Sequence, residues 1–173
     1  MKIILIAGKA RSGKNTVATI IKDIESSKKV LNLEYSSYMK KYAKNIIGWD
    51  GSEDTKPRDL LQQLGDEIKS FDPLFLIKEM IMDIDIYSMY FDIITISDVR
   101  FPNEIDEIKN KFDNAISIKI ERPNFDNGLT DLEKKHISET ALDNYDNFDY
   151  VIINDGDIEK LRNKVEEVIK NES

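Results

Sequence analysis

The sequence predicts an α/β protein in which a five-stranded parallel sheet lies between two layers of helices. Short apolar runs alternate along the chain with segments whose apolar residues recur at helical spacing, the order that produces right-handed crossovers. The run FDIITISDV at residues 91–99 is mostly apolar and β-branched, which is typical of a central parallel strand. With 173 residues the chain is long enough for one domain with a single core, and we expect residues 1–173 to form it.

The first half of the chain is predicted to begin with a strand and then to become mainly helical. In the first helix Val17, Ile20 and Ile21 fall on one stripe, as expected for a helix packed on a sheet. The predicted elements are a strand at 3–7, a helix at 14–25, a strand at 30–35, a helix at 36–47, and helices beginning at 57 and 73, the second reaching about 83.

The second half returns to alternating strands and helices. Its predicted elements are a strand at 91–99, a helix at 103–112, strands at 115–121 and 150–153, and a helix at 157–169. Residues 122–145 do not follow this alternation, because they are rich in Asn, Asp and charge and carry few apolar positions. Such an insertion is either a solvated loop or a mobile lid.

Composition limits the partners of the chain. The net charge of -8 argues against nonspecific binding to nucleic acid or anionic lipid, although a local basic pocket can still hold a small phosphorylated ligand. The absence of cysteine excludes disulfides and cysteine-based zinc sites. The apolar start is too short for a signal peptide, and no apolar run approaches the roughly 20 residues of a membrane span, so we expect a cytoplasmic protein.

A glycine-rich loop between the first strand and the first helix is the main functional motif. GKARSGKNT at residues 8–16 matches G-x-x-x-x-G-K in the strand–loop–helix order that the motif requires. Its backbone N–H groups, the helix N-terminus and the Lys14 ammonium would together bind a polyphosphate, whereas the alternative is an ordinary turn. The predicted ATP-binding residues are Gly8, Lys9, Ala10, Arg11, Ser12, Gly13, Lys14, Asn15 and Thr16.

Magnesium is expected beside this loop. Asn15 stands where the motif usually has Ser or Thr, so the metal would be held through water, the Asn15 carbonyl or other residues. Asp98, at the end of the third apolar strand, is placed to orient Mg²⁺ through water, and Arg100 to reach a phosphate. The alternative is a helix-capping aspartate and a surface arginine.

Other strand ends add candidates. Arg122 follows the fourth strand at the start of the possible lid, where it could neutralise charge on the transferred group. Asn154 and Gly156, after the fifth strand, could edge an adenine ring, although N-D-G is also common turn chemistry. Together with Lys14, Lys9 and Arg11 give the loop three cations. This positive charge favours transfer of a phosphoryl group to an acceptor that already carries a phosphate.

Several blocks of the sequence resemble the deoxynucleoside monophosphate kinases of phage and bacterial type, within the P-loop nucleotide kinases. SDVRFPNE is the most specific of these blocks, which occur in the same order as in the family and cover most of the chain. Asn15 departs from the family, which often has Asp there. The matching blocks are GKARSGKNT at 8–16, LLQQLGDE at 60–67 with FDP at 71–73, SDVRFPNE at 97–104, HISE at 136–139 and FDYVIINDG at 148–156.

The resemblance implies a P-loop kinase fold that transfers the γ-phosphate of ATP to a (deoxy)nucleoside monophosphate. It implies catalytic roles for Lys14, Arg11, Arg100 and Arg122, with Asp98 and Asn15 at the metal. It places the monophosphate-binding helical region at about 36–83 and the lid at about 122–145. The implied substrate-binding residues are Lys40, Gln62, Gln63, Gly65, Arg100 and Glu104.

Some expectations stay open at this stage. Gly65 within a helix, which costs roughly 1 kcal/mol relative to Ala, permits either a close ligand approach or close helix packing. His136, the only histidine, receives no acid–base role, and the resemblance gives Ser138 and Glu139 none. Alternative functions are a P-loop kinase of another phosphorylated small molecule, of phosphomevalonate or dephospho-coenzyme A type, and a regulatory NTPase switch. A homodimer is possible.

Overall fold

The computed structural model, which describes residues 1–172, has one five-stranded sheet with helices on both faces. All strand pairs are parallel, and the strand order is β2-β3-β1-β4-β5. The predicted fold class is therefore confirmed. The strands are β1 (Lys2–Ala7), β2 (Val30–Leu33), β3 (Ile93–Val99), β4 (Ala115–Glu121) and β5 (Tyr150–Ile153).

The helices follow the predicted alternation. Helix α4 extends one turn beyond the predicted end, and the 122–145 segment contains two short helices with capping residues. The helices are α1 (Lys14–Ile24), α2 (Ser36–Ile47), α3 (Arg58–Phe71), α4 (Phe75–Tyr87), α5 (Pro102–Lys111), α6 (Asp131–Lys135), α7 (Ile137–Thr140) and α8 (Ile158–Asn171).

The core lies on both faces of β1, whose residues 3–7 are fully buried. One face packs against α4 and α5 through residues such as Met80 and Ile105. The other face packs against α1 and α8 through residues such as Ile21 and Val165. Apolar burial on two faces explains why the central strands are nearly continuous hydrophobic runs.

One predicted strand was too long. The strand expected at 30–35 ends at Leu33, because the Tyr35 N–H donates to Asp98 instead of continuing the sheet ladder. Tyr35 becomes the residue before α2, with its ring buried in the core. The end of β3 thus sets the start of α2.

Parallel pairing brings the candidate groups to one edge of the sheet. Ala7, the last residue of β1, pairs with Val99 on one side and Lys119 on the other. The glycine loop therefore begins beside Arg100 and close to Arg122. This is the carboxyl edge, where open parallel sheets bind their ligands.

Among the described residues, no helix has both the length and the apolar character needed to cross a bilayer.

Candidate active site

The glycine loop has the backbone geometry of an anion cradle. Gly8 and Gly13 have φ angles of 146° and 108°, in the region that favours glycine. A Cβ on Gly8 would lie 2.5 Å from the Ile120 carbonyl oxygen, so β4 also requires glycine there. Helix α1 starts immediately after Gly13, and the N–H groups of its first turn have no intrahelical acceptors. These groups are available to an anion.

Lys14 lies folded along this loop. Its Nζ donates to the carbonyl oxygens of Gly8 and Lys9, both at 2.8 Å. Burial, together with the nearby Arg100 guanidinium, lowers the pKa of Lys14 to about 7, whereas the Glu139 carboxylate opposes the shift. A polyanion bound here would favour the charged form of the lysine.

A cavity of 610 Å³ extends from the loop to α2 and α3. Ala10 and Gly13 of the loop also face it, and its volume falls within the usual range for ligand pockets. The other predicted site residues that line it are Arg11, Lys14, Asn15, Thr16, Lys40, Gln62, Gly65, Asp98, Arg100, Glu104 and Arg122.

The remaining predicted residues lie outside this cavity. Gly8, Lys9 and Ser12 line a second cavity of 400 Å³ on the other side of the loop, toward β4 and α7. Gln63 is exposed, because a residue adjacent to Gln62 on α3 points about 100° away from it. The structure therefore does not bring Gln63 to the cavity that Gln62 lines.

Two residues after β5 support the loop or the turn beside it. The Asn154 side-chain amide donates to the Ser12 carbonyl oxygen at 2.9 Å, and its nitrogen lies next to Gly13. Gly156 packs against the Lys160 side chain, where a Cβ would approach the lysine Cδ to 2.5 Å. Neither residue lines the large cavity, so their predicted contact with adenine remains a prediction.

Asp98 caps a helix as well as facing the cavity. Its two carboxylate oxygens accept the N–H groups of Tyr35 and Ser36, at 2.8 and 2.9 Å. The capping alternative is therefore observed, although the capped helix is α2, not the helix that follows β3. Each oxygen keeps a lone pair, so capping does not prevent a water-mediated metal contact.

The oxygen donors near Lys14 fit Mg²⁺, which binds few protein carboxylates and completes its shell with water and phosphate. Asp98, the Asn15 side chain and the Thr16 hydroxyl belong to residues lining one cavity and would hold it. The Asn15 carbonyl is less suitable, since it accepts the Thr19 hydroxyl at 3.0 Å. Within residues 1–172, no group of three or more His, Cys, Asp or Glu side chains is arranged to hold a metal ion.

Arg100 is held by two glutamates. The Glu104 carboxylate accepts the backbone N–H groups of Arg100 and Phe101, at 2.7 and 3.1 Å, and so shapes the turn after β3. Glu139 accepts the Arg100 guanidinium at 2.8 Å. Backbone and side chain of Arg100 are thus fixed by different elements.

Glu104 is a buried carboxyl at the base of the cavity. Burial raises its pKa to about 7, and the Asp98 carboxylate acts in the same direction, whereas the two backbone N–H groups and Lys69 oppose the shift. Lys69 lies 3.5 Å from the centroid of the Phe101 ring, a cation–π contact. Burial lowers the pKa of Lys69.

The 122–145 segment covers the loop side of the cavity. The Arg11 guanidinium donates to the Asn127 carbonyl oxygen at 2.9 Å. Arg122 stacks on Phe125 at 3.6 Å and donates to the Arg11 carbonyl oxygen at 3.4 Å. Arg122 lines both cavities. Its role as a lid arginine and the motion of the segment both remain predictions.

Gly65 is explained by its neighbours. A Cβ at this position would lie 3.0 Å from the sulfur of Met39 on α2, so the two helices pack closely there. Gly65 also lines the cavity, and close packing brings α2 and α3 together as its outer wall.

Several cavity residues were not singled out from the sequence. Lys56 and Arg58 approach from the start of α3, and both contact Glu53 in the preceding turn. The two cations on either side of Pro57 were the available signal. His136 contacts Asp66 of α3 at 3.2 Å, a connection across 70 residues that no local pattern reveals.

The arrangement can bind two phosphorylated groups side by side. The loop amides and Lys14 would hold one polyphosphate, and Arg100 lines the same cavity, which continues to α2 and α3 and would take a second group. Charge neutralisation, without a general base, is sufficient for transfer to an acceptor phosphate. The chemistry of the site is therefore phosphoryl transfer.

Comparison with known proteins gives a family and a fold. The family model for deoxynucleotide monophosphate kinase matches residues 27–165, which is most of the chain. The match begins after the glycine loop, so it is independent of that motif. Curated proteins gave no match.

Solved structures share the fold across nearly full length. TT1252 from Thermus thermophilus is 15% identical with a TM-score of 0.55, covering 98% of this chain and 97% of that one. Dephospho-CoA kinase from Campylobacter jejuni is 12% identical with a TM-score of 0.55, covering 99% and 97%. APS kinase CysC from Mycobacterium tuberculosis, in complex with AMPPNP and APS, is 12% identical with a TM-score of 0.51, covering 98% and 97%.

Proposed function

Because the chain belongs to the deoxynucleotide monophosphate kinase family, we propose that it transfers the γ-phosphoryl group of ATP to a deoxynucleoside monophosphate, producing ADP and the deoxynucleoside diphosphate. Phosphotransfer as such follows from the family. The identity of the acceptor is the proposal.

The continuity of the 610 Å³ cavity carries this proposal. Lys14, Gln62 and Arg100 all line this one space. Two nucleotides entering from opposite ends would meet with their phosphates at Arg100. A monophosphate acceptor arrives ionised, so cations at the meeting point are the groups that the reaction needs.

On the donor side, the glycine loop supports ATP. Its amides and Lys14 suit the β and γ phosphates, and Mg²⁺ held by Asp98 and Asn15 would supply further charge neutralisation. AMPPNP, an ATP analogue, is bound in the M. tuberculosis APS kinase that shares this fold.

On the acceptor side, the wall formed by α2 and α3 is both polar and narrow. Gln62 and Lys40 line it, and Lys40 is paired with Glu34. Met39 and Leu61 add apolar surface, against which a base can stack. The apolar surface beside these polar groups favours a nucleoside, whose base can stack on it, over an acceptor without a ring, such as phosphomevalonate.

The test is an ADP-release assay with a panel of deoxynucleoside and nucleoside monophosphates, phosphomevalonate and dephospho-coenzyme A. We expect acceptor-dependent turnover with at least one deoxynucleoside monophosphate and the highest kcat/KM in that group. Turnover confined to a non-nucleotide acceptor would replace the proposal with the alternative kinase. ATP hydrolysis that is indifferent to every acceptor would indicate a switch.

A further inference from the structure

We propose that Glu139 is a positioning residue for phosphoryl transfer, whose carboxylate ties the Arg100 side chain to the glycine loop. The inference rests on the proposed function, because it assigns Arg100 a role in the transfer. Glu139 would act through Arg100 and would not contact the substrates.

The first support is geometric. Oε1 of Glu139 accepts the Arg100 guanidinium at 2.8 Å, and Oε2 accepts the Ala10 backbone N–H at 2.8 Å. One carboxylate thus joins α7 to the end of β3 and to the loop, which are 39 and 129 residues away in sequence. The Glu139 side chain is only 8% exposed.

The second support is electrostatic. Arg100 and Lys14 are cations at the same cavity and repel each other, and Lys14 is itself buried. Two other carboxylates lie nearby, and both are used by backbone N–H groups. Asp98 accepts the N–H groups of Tyr35 and Ser36 at the start of α2. Glu104 accepts the backbone N–H groups of Arg100 and Phe101. Glu139 therefore supplies the anion that is paired directly with Arg100. A buried, hydrogen-bonded carboxylate orients such a guanidinium more strongly than an exposed one.

The third support is a contrast within the same segment. Asp143, four residues after Glu139, forms an ion pair with Lys9 of the loop at 2.8 Å. Those side chains are 43% and 58% exposed, so solvent screens the pair and it contributes little. Of these two carboxylates, only Glu139 is placed to fix a group at the site.

The consequence concerns how Arg100 is presented. A guanidinium has five N–H donors, and one held by Glu139 leaves others for phosphate oxygens. Fixing the side chain in advance avoids the loss of rotamer freedom during the reaction. Transfer then requires residues 136–139 to be in place against the loop.

The test compares Glu139→Gln with Asp143→Asn, which removes the same charge from the exposed pair. Glutamine has one acceptor oxygen, which can serve the Ala10 N–H or the Arg100 guanidinium but not both, and it carries no charge to pair with Arg100. We expect kcat to fall about 100-fold in Glu139→Gln, as for a misplaced group near the chemistry, with the Kd for ATP changed less than about threefold. Asp143→Asn should keep kcat within about twofold of wild type.

A double-mutant cycle separates positioning from general damage. If Glu139 acts through Arg100, adding Glu139→Gln to Arg100→Ala should lower kcat by less than about twofold. If the losses in kcat of the two single variants multiply in the double variant, the proposal is overturned. A wild-type kcat in Glu139→Gln would also overturn it.

A measurement without acceptor distinguishes failure of this proposal from failure of the proposed function. Nitrogen-15 NMR of the Arg100 side chain should show a restrained guanidinium in wild type and in Asp143→Asn, and a freely rotating one in Glu139→Gln. If wild type turns over no deoxynucleoside monophosphate, the proposed function fails and this spectrum still decides the contact. An Arg100 signal unchanged by Glu139→Gln would refute it.

Discussion

The two walls of the large cavity are built in different ways. The loop wall comes from one short segment, of which residues 10, 11 and 13–16 line the cavity, and it uses mainly backbone: glycines with positive φ and the first turn of α1. The opposite wall comes from side chains of α2, α3 and the end of β3, held by contacts such as Asp66 with His136. A backbone-built wall suits phosphate, which all nucleotides share, whereas a side-chain-built wall can select an acceptor.

The buried ionisable groups show the same contrast. Burial lowers the pKa of Lys14 and raises that of Glu104, in each case to about 7. Lys14 faces the expected donor phosphates, whose charge would restore its proton affinity. Glu104 faces the backbone of the Arg100 turn and serves structure. Substitutions on the two walls should therefore affect different quantities.

The largest effect is expected for Lys14→Ala, on the loop wall. Removing a preorganised cation beside the transferred group should lower kcat by about 10³-fold or more. The fold should persist, because the lysine contributes a buried charge and not an apolar contact. Circular dichroism and acceptor-dependent ADP release would check both points, and turnover near wild type would refute the loop assignment.

Arg122→Ala should have a smaller effect than Lys14→Ala. Arg122 belongs to the 122–145 segment and lines both cavities. The exposed guanidinium stacks on Phe125 and reaches the loop, so its loss should lower kcat by about 10- to 100-fold. The Kd for ATP should change much less. Arg122→Lys is the matched control, because it keeps the charge but not the planar stack. An effect limited to KM would contradict the assigned role.

Glu104→Gln should change the pH dependence of stability. The pKa of Glu104 is raised by burial from 4.5 to about 7, so the folded protein binds more protons between those values than the unfolded chain. The free energy of unfolding contributed by this group therefore falls as pH rises through that window. The free energy of unfolding, measured with urea, should decrease less between pH 5 and pH 7.5 in the variant than in wild type. An equal decrease in both proteins would contradict a buried Glu104 carboxyl that is protonated in the folded state.

The smallest effect is expected at the wall built from side chains, where Gln62 and Gln63 are neighbours on α3. Gln62→Ala should raise the acceptor KM by roughly 3- to 10-fold, the loss of one neutral hydrogen bond, with little change for ATP. Gln63→Ala should leave both unchanged, because its side chain lies on the exposed side of the helix. If Gln63→Ala weakened the acceptor and Gln62→Ala did not, the orientation of α3 would be wrong.

The same contrast explains what could be predicted from sequence. The positions of the strands and of the loop follow from hydrophobic alternation and glycine spacing, which are local signals. Asp98 and Arg100 were placed at the correct edge, because parallel strands end together. The end of β2 could not be predicted, since it depends on a hydrogen bond from Tyr35 to Asp98, 63 residues later.

The acceptor wall was predicted less well for the same reason. Gln62 and Gln63 were selected together from a matching block, whereas helical geometry separates them. Glu139 matched a family block without a role, because its partners lie far away in sequence. Contacts of this kind depend on tertiary packing, which no local spacing specifies.

The central claim is that one cavity holds both substrates, with their phosphates meeting at Arg100. Calorimetry with a bisubstrate analogue, adenosine joined to a deoxynucleoside through five phosphates, tests it most directly. We expect one molecule per chain, competition with ATP and with the deoxynucleoside monophosphate, and weaker binding in both Lys14→Ala and Arg100→Ala. Binding that is displaced by ATP alone, or two analogue molecules per chain, would contradict the account.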